Sequence, residues 1–409
     1  MSSSEHWAEL KHLSAHGITT TEASFDLSAM MARKDKVVGD LTKGIAHLFK
    51  KNGVEWINGR GSISAPGRVQ VGDETVAAGN ILIATGSDPA GLPGVTVDES
   101  VVLSSTGALS LGRVPEHLVV IGAGVIGLEL GQVWSRLRAR VTVVEYLDRI
   151  LPGADGEIAK TAQRLLQRQG LAFQLGRKVM SVTQAAGKAS ITLERRDKGT
   201  TETLEADAVL VAIGRRPRTA GLGLEALGVA LDGRGFISVD AGFRTNVPGI
   251  LAIGDVVPGP MLAHKAEEDG IAAVEALAGH PHGAPDYSHV PGVVYVAPEI
   301  ASLGATEEAL KDAGRAHVVG KFQFIANGRA RAMATTDGLV KVLGCPETGH
   351  VLGAHIIGRN AGELIQPLVL AMYTGATLAE IAASSHAHPG MGEAVKEACL
   401  AALGKPLHA

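Results

Sequence analysis

The sequence predicts an α/β protein, with a doubly wound parallel sheet in its middle and an α+β unit at its C-terminal end. Three observations carry this. From residue 115 short apolar runs alternate with amphipathic runs of helical period, in the order β-α-β-α-β. The first of those strands ends in "GAGVIG", a glycine-rich turn leading into a helix. After "GAPDYSHVPG" strands come first and helices later, the order of an α+β unit.

Taken in order, residues 1–52 read as largely helical. "SAMMARKDKVVGDLTKGIAHLFKKNG" places Leu41, Ile45 and Leu48 on one stripe and stops at Gly53. "VEWING", "SIS", "RVQV" and "NILIATG" follow as short strands, punctuated like a meander that ends in a buried strand. "DPAGLPG" and "GRVP" bracket a linker-like passage before a new unit near Pro115. There "HLVVIG" is a strand, "VIGLELGQVWSRLR" a helix, "RVTVVE" a strand, "EIAKTAQRLLQRQG" a helix and "LAFQL" a strand. "KVMSVTQ" and "ASITLERR" read as a hairpin inserted before the buried strand "ADAVLVAIG". "TNVPGILAIGD" is a further strand and turn, and a helix runs from Ala263 through Leu277. The last unit has strands at "VVYV", "HVVGKFQF", "GLVKVLG" and "VLGAHIIG", then helices from Ala361 and from Met391.

Bulk properties exclude several function classes. A chain of 409 residues accommodates roughly two to four domains. Apolar residues at 45% and charged residues at 20% belong to a soluble globular protein. A net charge of −4 leaves no broad basic footprint for nucleic acid, and 3% aromatics leave few stacking platforms. Two cysteines without a short spacing point away from a disulfide scaffold and from a metal centre. The N-terminus lacks a secretory pattern, and no apolar run is long enough to span a bilayer. The expectation is a soluble, cytoplasmic protein without nucleic-acid or membrane partners.

The strongest local signal is "VVIGAGVIGLELG". Gly122, Gly124 and Gly127 form GxGxxG across a strand end and a helix start. The first allows a tight turn, the second a close approach of backbone to a pyrophosphate, the third tight helix–strand packing. The helix N-terminus adds unpaired N–H groups and a positive dipole end. The second strand ends in Glu145, an acid that suits a ribose diol and repels a 2′-phosphate, so NAD is favoured over NADP. "NILIATGS" and "VLVAIGRRP" are weaker, and either could be a plain strand end. Asp255, closing "GILAIGD", suits hydroxyl groups but equally a turn or helix cap. In "HAHPGMGE" the spacing of His388 and Glu393 lets a carboxylate orient an imidazole base, although a histidine before a helix-starting proline commonly caps or packs.

In this joint order the segments resemble the pyridine nucleotide–disulfide oxidoreductases over nearly the whole chain. The resemblance implies FAD/NAD(P)-binding Rossmann-like domains, the first one incomplete, and a C-terminal α+β dimerisation domain. Residues 1–114 and 244–288 would be two segments of the FAD-binding domain, 115–243 the NAD-binding domain and 289–409 the dimerisation domain. Thr85, Gly86 and Ser87 would line the FAD site, with Asp255 on the ribitol chain and Gly61 near the adenine. Met261, Leu262, Ala263 and His264 would lie beside the isoalloxazine. Gly122, Ala123, Gly124, Val125, Ile126, Gly127, Leu128 and Glu129 would hold NAD together with Glu145 and Val179. Gly214 would close the nicotinamide side.

"HAHPGMGE" is similar to the family's HxHPTxSE, which makes His388 the proton acceptor and Glu393 its partner. Gly390 and Gly392 replace the family's Thr and Ser, loosening the helix start without removing either side chain. The implied activity is oxidation of a dihydrolipoyl thiol by NAD through FAD and a redox disulfide. The implied assembly is a homodimer serving a lipoyl-bearing acyltransferase of a 2-oxoacid dehydrogenase complex. No metal is implied.

The family's pattern also has an earlier βα unit, with its own GxGxxG for FAD, and a CxxxxC pair. These 409 residues contain neither. The expectation is therefore a chain shortened at its N-terminus, binding FAD poorly and not turning over lipoamide, with an exposed apolar edge in the first domain. Cys345, in "GCPETG", and Cys399 read as a loop and a packing cysteine. Two alternatives stay open: a non-catalytic NAD-binding or dimerisation protein, and another flavin-dependent NAD(P)H oxidoreductase of the family.

Overall fold

A computed structural model describes residues 1–20, 22–280 and 285–408. The chain divides into two units, each assembled from separate stretches: 1–27, 91–213 and 288–409 form one, 28–90 and 214–287 the other.

The first unit contains the predicted parallel sheet. Its five strands run in the order Val102–Leu103, Ala208–Val211, His117–Ile121, Arg140–Val144 and Leu171–Gln174, and every neighbouring pair is parallel. His117–Ile121 and Ala208–Val211 are buried at every residue, which is why they read as unbroken apolar runs rather than alternating ones. The helices Val125–Arg136 and Gly156–Arg168 follow the third and fourth of these strands in that order, as predicted. The inserted hairpin gains a third strand. Arg177–Ala185, Lys188–Arg195 and Thr201–Ala206 form an antiparallel sheet. "TETLEA" alternates in exposure and completes a face that buries Ala189, Ile191 and Leu193.

The same unit holds a five-stranded antiparallel sheet, ordered Gly292–Val294, Glu299–Gly304, Val351–Gly358, Leu339–Gly344 and Val318–Gln323. The strand Glu299–Gly304 is absent from the sequence reading. Its buried Ile300, Ala301 and Leu303 fall on both faces, so it lacks the period of two that marks a half-exposed strand. The helix Glu393–Ala402 packs on this sheet, so close to one edge that a Cβ on Gly320 would lie 1.9 Å from the Ala398 carbonyl oxygen.

The second unit is built from smaller pieces. Gly61–Ala65, Arg68–Val71 and Glu74–Ala77 form the antiparallel meander. Ile81–Ile83 pairs in parallel with Ile250–Ala252, and Ser87–Pro89 antiparallel with Arg215–Pro217. Ile63, Ile81, Ile83, Leu224, Ile237 and Ile250 form its core. The helix Ala263–Leu277 has the predicted bounds. "VEWING" is not a strand: Gly53 turns left-handed at φ 68°, and the Val54 N–H donates back to the Phe49 carbonyl, closing the preceding helix. That helix, Leu27–Lys51, buries none of its residues, and the Leu41, Ile45 and Leu48 stripe is open to solvent.

Among the described residues no helix is long and apolar enough to cross a membrane.

Candidate active site

The glycine turn of the first unit has the geometry its sequence demands. Gly122 sits at φ 105°, and a Cβ there would lie 2.4 Å from the Ala212 carbonyl oxygen. A Cβ on Gly127 would lie 2.1 Å from the Gly122 carbonyl oxygen, so helix and turn pack at a distance only glycine permits. Gly124 differs: nothing lies within 4 Å of its would-be Cβ, and as N-cap of Val125–Arg136 it carries no side-chain cap. The first N–H groups of that helix therefore lie beside open space and form an uncapped cradle.

Glu145 is tied into this cradle. Its Oε2 accepts the Ala123 N–H at 2.7 Å and its Oε1 the Leu147 N–H at 2.9 Å. Val125 is exposed on the first helical turn, Ile126 half-buried, and Leu128 fully buried in the core. Glu129 turns away toward the antiparallel sheet, where its Oε1 accepts the Tyr295 N–H at 2.8 Å, and burial pushes its carboxyl up. Val179 pairs with Leu193 and packs on the apolar cluster that also contains Ile121, Val144 and Val211.

His388 and Glu393 meet. His388 Nδ1 donates to Glu393 Oε1 at 2.9 Å, and the Gly390 N–H donates to Glu393 Oε2 at 2.9 Å. The Gly390 amide and the His388 ring hold the Glu393 carboxyl below its ordinary range. The carboxylate thus fixes the imidazole tautomer and leaves Nε2 as the acceptor, on a side chain that is 79% exposed. Buried Asn327, which sequence reasoning missed, donates to the Gly390 carbonyl at 2.9 Å and anchors this loop. It caps the short helix Gly328–Ala332, and no local pattern relates it to a histidine so far along the chain.

In the second unit Ser87 and Asp255 come together. Ser87 Oγ donates to Asp255 Oδ2 at 2.5 Å, and Arg215 donates to Ser87 Oγ at 2.7 Å and to its carbonyl at 2.6 Å. Thr85 Oγ1 donates to the Arg218 carbonyl at 2.7 Å, and Gly86 turns at φ 72°. The residue before Asp255 is clamped by a pair the sequence reading also missed. Lys265 and Asp269, both fully buried, hold the Gly254 carbonyl and N–H at 3.0 Å each, and the Tyr287 hydroxyl donates to Asp269. A Lys and Asp four apart on a helix usually signal a solvated pair, so the sequence offers little hint of this burial. Met261 and Leu262 lie half-buried just before the helix that begins at Ala263 and His264, both exposed. Gly214 turns at φ 134° and its carbonyl accepts the Ala90 N–H. Gly61 starts the meander, beside a cleft of about 440 Å³ lined by Asn58, Gly59, Arg60, Ser62 and Gly221.

Comparison with known proteins identifies the family. Residues 5–270 match the family description "pyridine nucleotide-disulphide oxidoreductase", and residues 290–399 match its dimerisation domain. The chain belongs to this family. Membership brings use of FAD and a nicotinamide nucleotide, and the dimerisation domain supports a homodimer. Among family members, the chain is 52% identical to mitochondrial dihydrolipoyl dehydrogenase 1 of Arabidopsis thaliana, over 99% of this chain and 81% of that protein. It is 50% identical to dihydrolipoyl dehydrogenase 3 of Pseudomonas putida, over 94% of this chain and 84% of the relative. The solved structure of LpdA from Mycobacterium tuberculosis superposes with a TM-score of 0.90 at 28% identity, covering 97% and 87% of the two chains. Likeness at this level, over nearly the full chain, supports dihydrolipoyl dehydrogenase activity, an oxidation of a sulfur group with NAD.

The two cysteines do not supply the disulfide of that chemistry. Cys399 is buried and free, and burial pushes its thiol up to about 12. Cys345 is free in the turn before His350, where the Thr348 hydroxyl lowers its thiol.

Proposed function

We propose that the chain acts on dihydrolipoyl groups, with His388 and Glu393 as the proton-transfer pair and the Gly122–Gly127 turn with Glu145 as the NAD site. The observation that carries the reading is the His388–Glu393 contact at 2.9 Å through Nδ1, on an exposed imidazole. Nε2 takes the proton from the substrate thiol, and Glu393 stabilises the imidazolium. The thiolate then attacks a disulfide, and the second substrate sulfur closes the lipoyl ring. FAD, where bound beside Ser87 and Asp255, would supply the two-electron relay between the thiols and NAD. In balance, a dithiol and NAD⁺ give a cyclic disulfide, NADH and one proton.

The residues of the two units fit the groups they would hold. Gly124 leaves space for the NAD pyrophosphate, and Glu145 lies where the ribose hydroxyls would follow. Half-buried Asp255, with Ser87 and Arg215 beside it, suits the hydroxyl chain of FAD. Thr85, Gly86, Gly61, Gly214 and the segment 261–264 complete the flavin and nicotinamide assignments, and Val179 completes that for NAD. The domain boundaries 1–114, 115–243, 244–288 and 289–409 belong to the same reading, as does a lipoyl-bearing acyltransferase as partner. Cytoplasmic residence belongs to the same reading.

The exchanging disulfide lies outside Cys345 and Cys399 in this reading. The test is NAD titration and dihydrolipoamide-dependent NAD reduction by the FAD-supplemented 409-residue chain. NAD binding is expected, with dihydrolipoamide-dependent NAD reduction once a disulfide other than one formed by Cys345 and Cys399 is supplied. Turnover abolished by Cys345→Ser would overturn the disulfide assignment, and failure to bind NAD would overturn the nucleotide site.

A further inference from the structure

Lys341 is 1% exposed, yet it carries an ammonium group. Its Nζ donates to Asp155 at 2.9 and 3.0 Å, and it lies 2.6 Å from Glu307 and 3.4 Å from Glu157. Burying such a cluster is costly, and an apolar residue would commonly serve stability as well, so stability alone does not account for it. Where the cluster leads is more informative. Asp155 is the N-cap of Gly156–Arg168, accepting the N–H groups of Glu157 and Ile158. The exposed Glu308 accepts the Gly156 N–H at 3.1 Å. Strand Leu339–Gly344 and helix Glu307–Asp312 of the antiparallel sheet region therefore grip one end of a short segment.

The other end of that segment lies under the nucleotide turn. The Leu151 N–H donates to the Ala123 carbonyl at 3.0 Å, while the Ala123 N–H donates to Glu145 at 2.7 Å. Residues 145–151 thus hold both sides of Ala123, between Gly122 and Gly124. Leu151 makes its bond at φ 46°, in the left-handed region that a leucine adopts only when its surroundings enforce it. Between Leu151 and Asp155 the chain is pinned by the Ala154 N–H to the Leu151 carbonyl at 2.9 Å and by Arg149 to the Ala154 carbonyl at 2.6 Å.

We propose that Lys341 is a positioning residue for the NAD site, holding Asp155 so that Leu151 stays strained beneath the glycine turn. The inference rests on the nucleotide reading above. Through this connection the C-terminal sheet sets the geometry of the glycine turn.

The experiment compares Lys341→Met with Val342→Ala, its fully buried strand neighbour that lies in the apolar core. NAD affinity and hydrogen exchange at the Leu151 and Ala123 amides are measured on the full chain, well below the Tm of either variant. Lys341→Met should weaken NAD about tenfold and speed exchange at Leu151, whereas Val342→Ala should change neither despite a lower Tm. If Lys341→Met does not fold, Glu308→Ala, which removes a surface ligand of the Gly156 N–H, should weaken NAD about threefold. NAD binding by Lys341→Met, or by Glu308→Ala in its place, at the unsubstituted affinity overturns the inference alone. No NAD binding by the unsubstituted chain overturns the nucleotide reading as well.

Discussion

Two helices of this chain, Val125–Arg136 and Leu27–Lys51, are both apolar-striped. The first buries Leu128, Leu130 and Trp134 and packs its glycines against a parallel sheet. The second buries nothing, and Leu41, Ile45 and Leu48 stand open. The difference shows what amphipathicity encodes. A stripe states that a face is apolar, but only a partner element of matching shape turns it into stability. Around the glycine turn the partner is in the same unit, and each contact there has a defined cost.

The largest effects should therefore fall at the turn. Gly127→Ala drives a Cβ to 2.1 Å from a backbone oxygen that cannot move without the turn, and should cost about 3 kcal/mol, seen as a lower urea midpoint. Gly124→Ala, three residues earlier, meets nothing within 4 Å and should leave stability within about 0.5 kcal/mol. Its effect should appear in NAD affinity, about tenfold weaker, because the methyl occupies the approach path of the pyrophosphate. Equal loss of stability in both variants would sink the distinction between packing glycine and ligand glycine.

Much of this was legible in the sequence because it is local. The glycine spacing, Glu145 at the next strand end and the His388–Glu393 interval all lie within short windows whose geometry is set by one turn or one helix start. Asn327, Arg215 and the Lys265–Asp269 clamp were not legible. Each acts on a site residue through the fold or through burial, and their local patterns also occur on ordinary surfaces. The third strand of the inserted sheet and the strand Glu299–Gly304 were missed for a related reason: their patterns depend on which faces are covered.

A smaller effect should distinguish the first unit by its response to acid. Lys311 and Lys341 hold the Glu307 carboxyl at about 2, against an ordinary 4.5. A depressed folded-state pKa contributes stability that is complete above about 4.5 and is lost as pH falls toward about 2. Asp155 is shifted in the same direction, chiefly by its Lys341 contact working against burial. Urea midpoints should drop between pH 5 and pH 3, and Glu307→Gln should lower the pH 5 value more than the pH 3 value. A parallel displacement at both pH values would remove Glu307 from the account.

The smallest effect is expected on the open stripe, and it is the sharpest test of the comparison. Leu48 is 52% exposed, so Leu48→Ser should change stability by no more than about 0.5 kcal/mol. The equivalent truncation on the buried stripe, Leu128→Ala, should cost about 2–5 kcal/mol. A loss at Leu48 approaching that at Leu128 would mean that the face is covered in solution. Repeating the melt over a range of protein concentrations then identifies the cover. A rise of Tm with concentration that Leu48→Ser weakens assigns the cover to a second copy of the chain, because mass action stabilises only the associated form and the dimerisation domain's own contribution is common to both proteins. A concentration dependence that Leu48→Ser leaves unchanged assigns it to the chain itself.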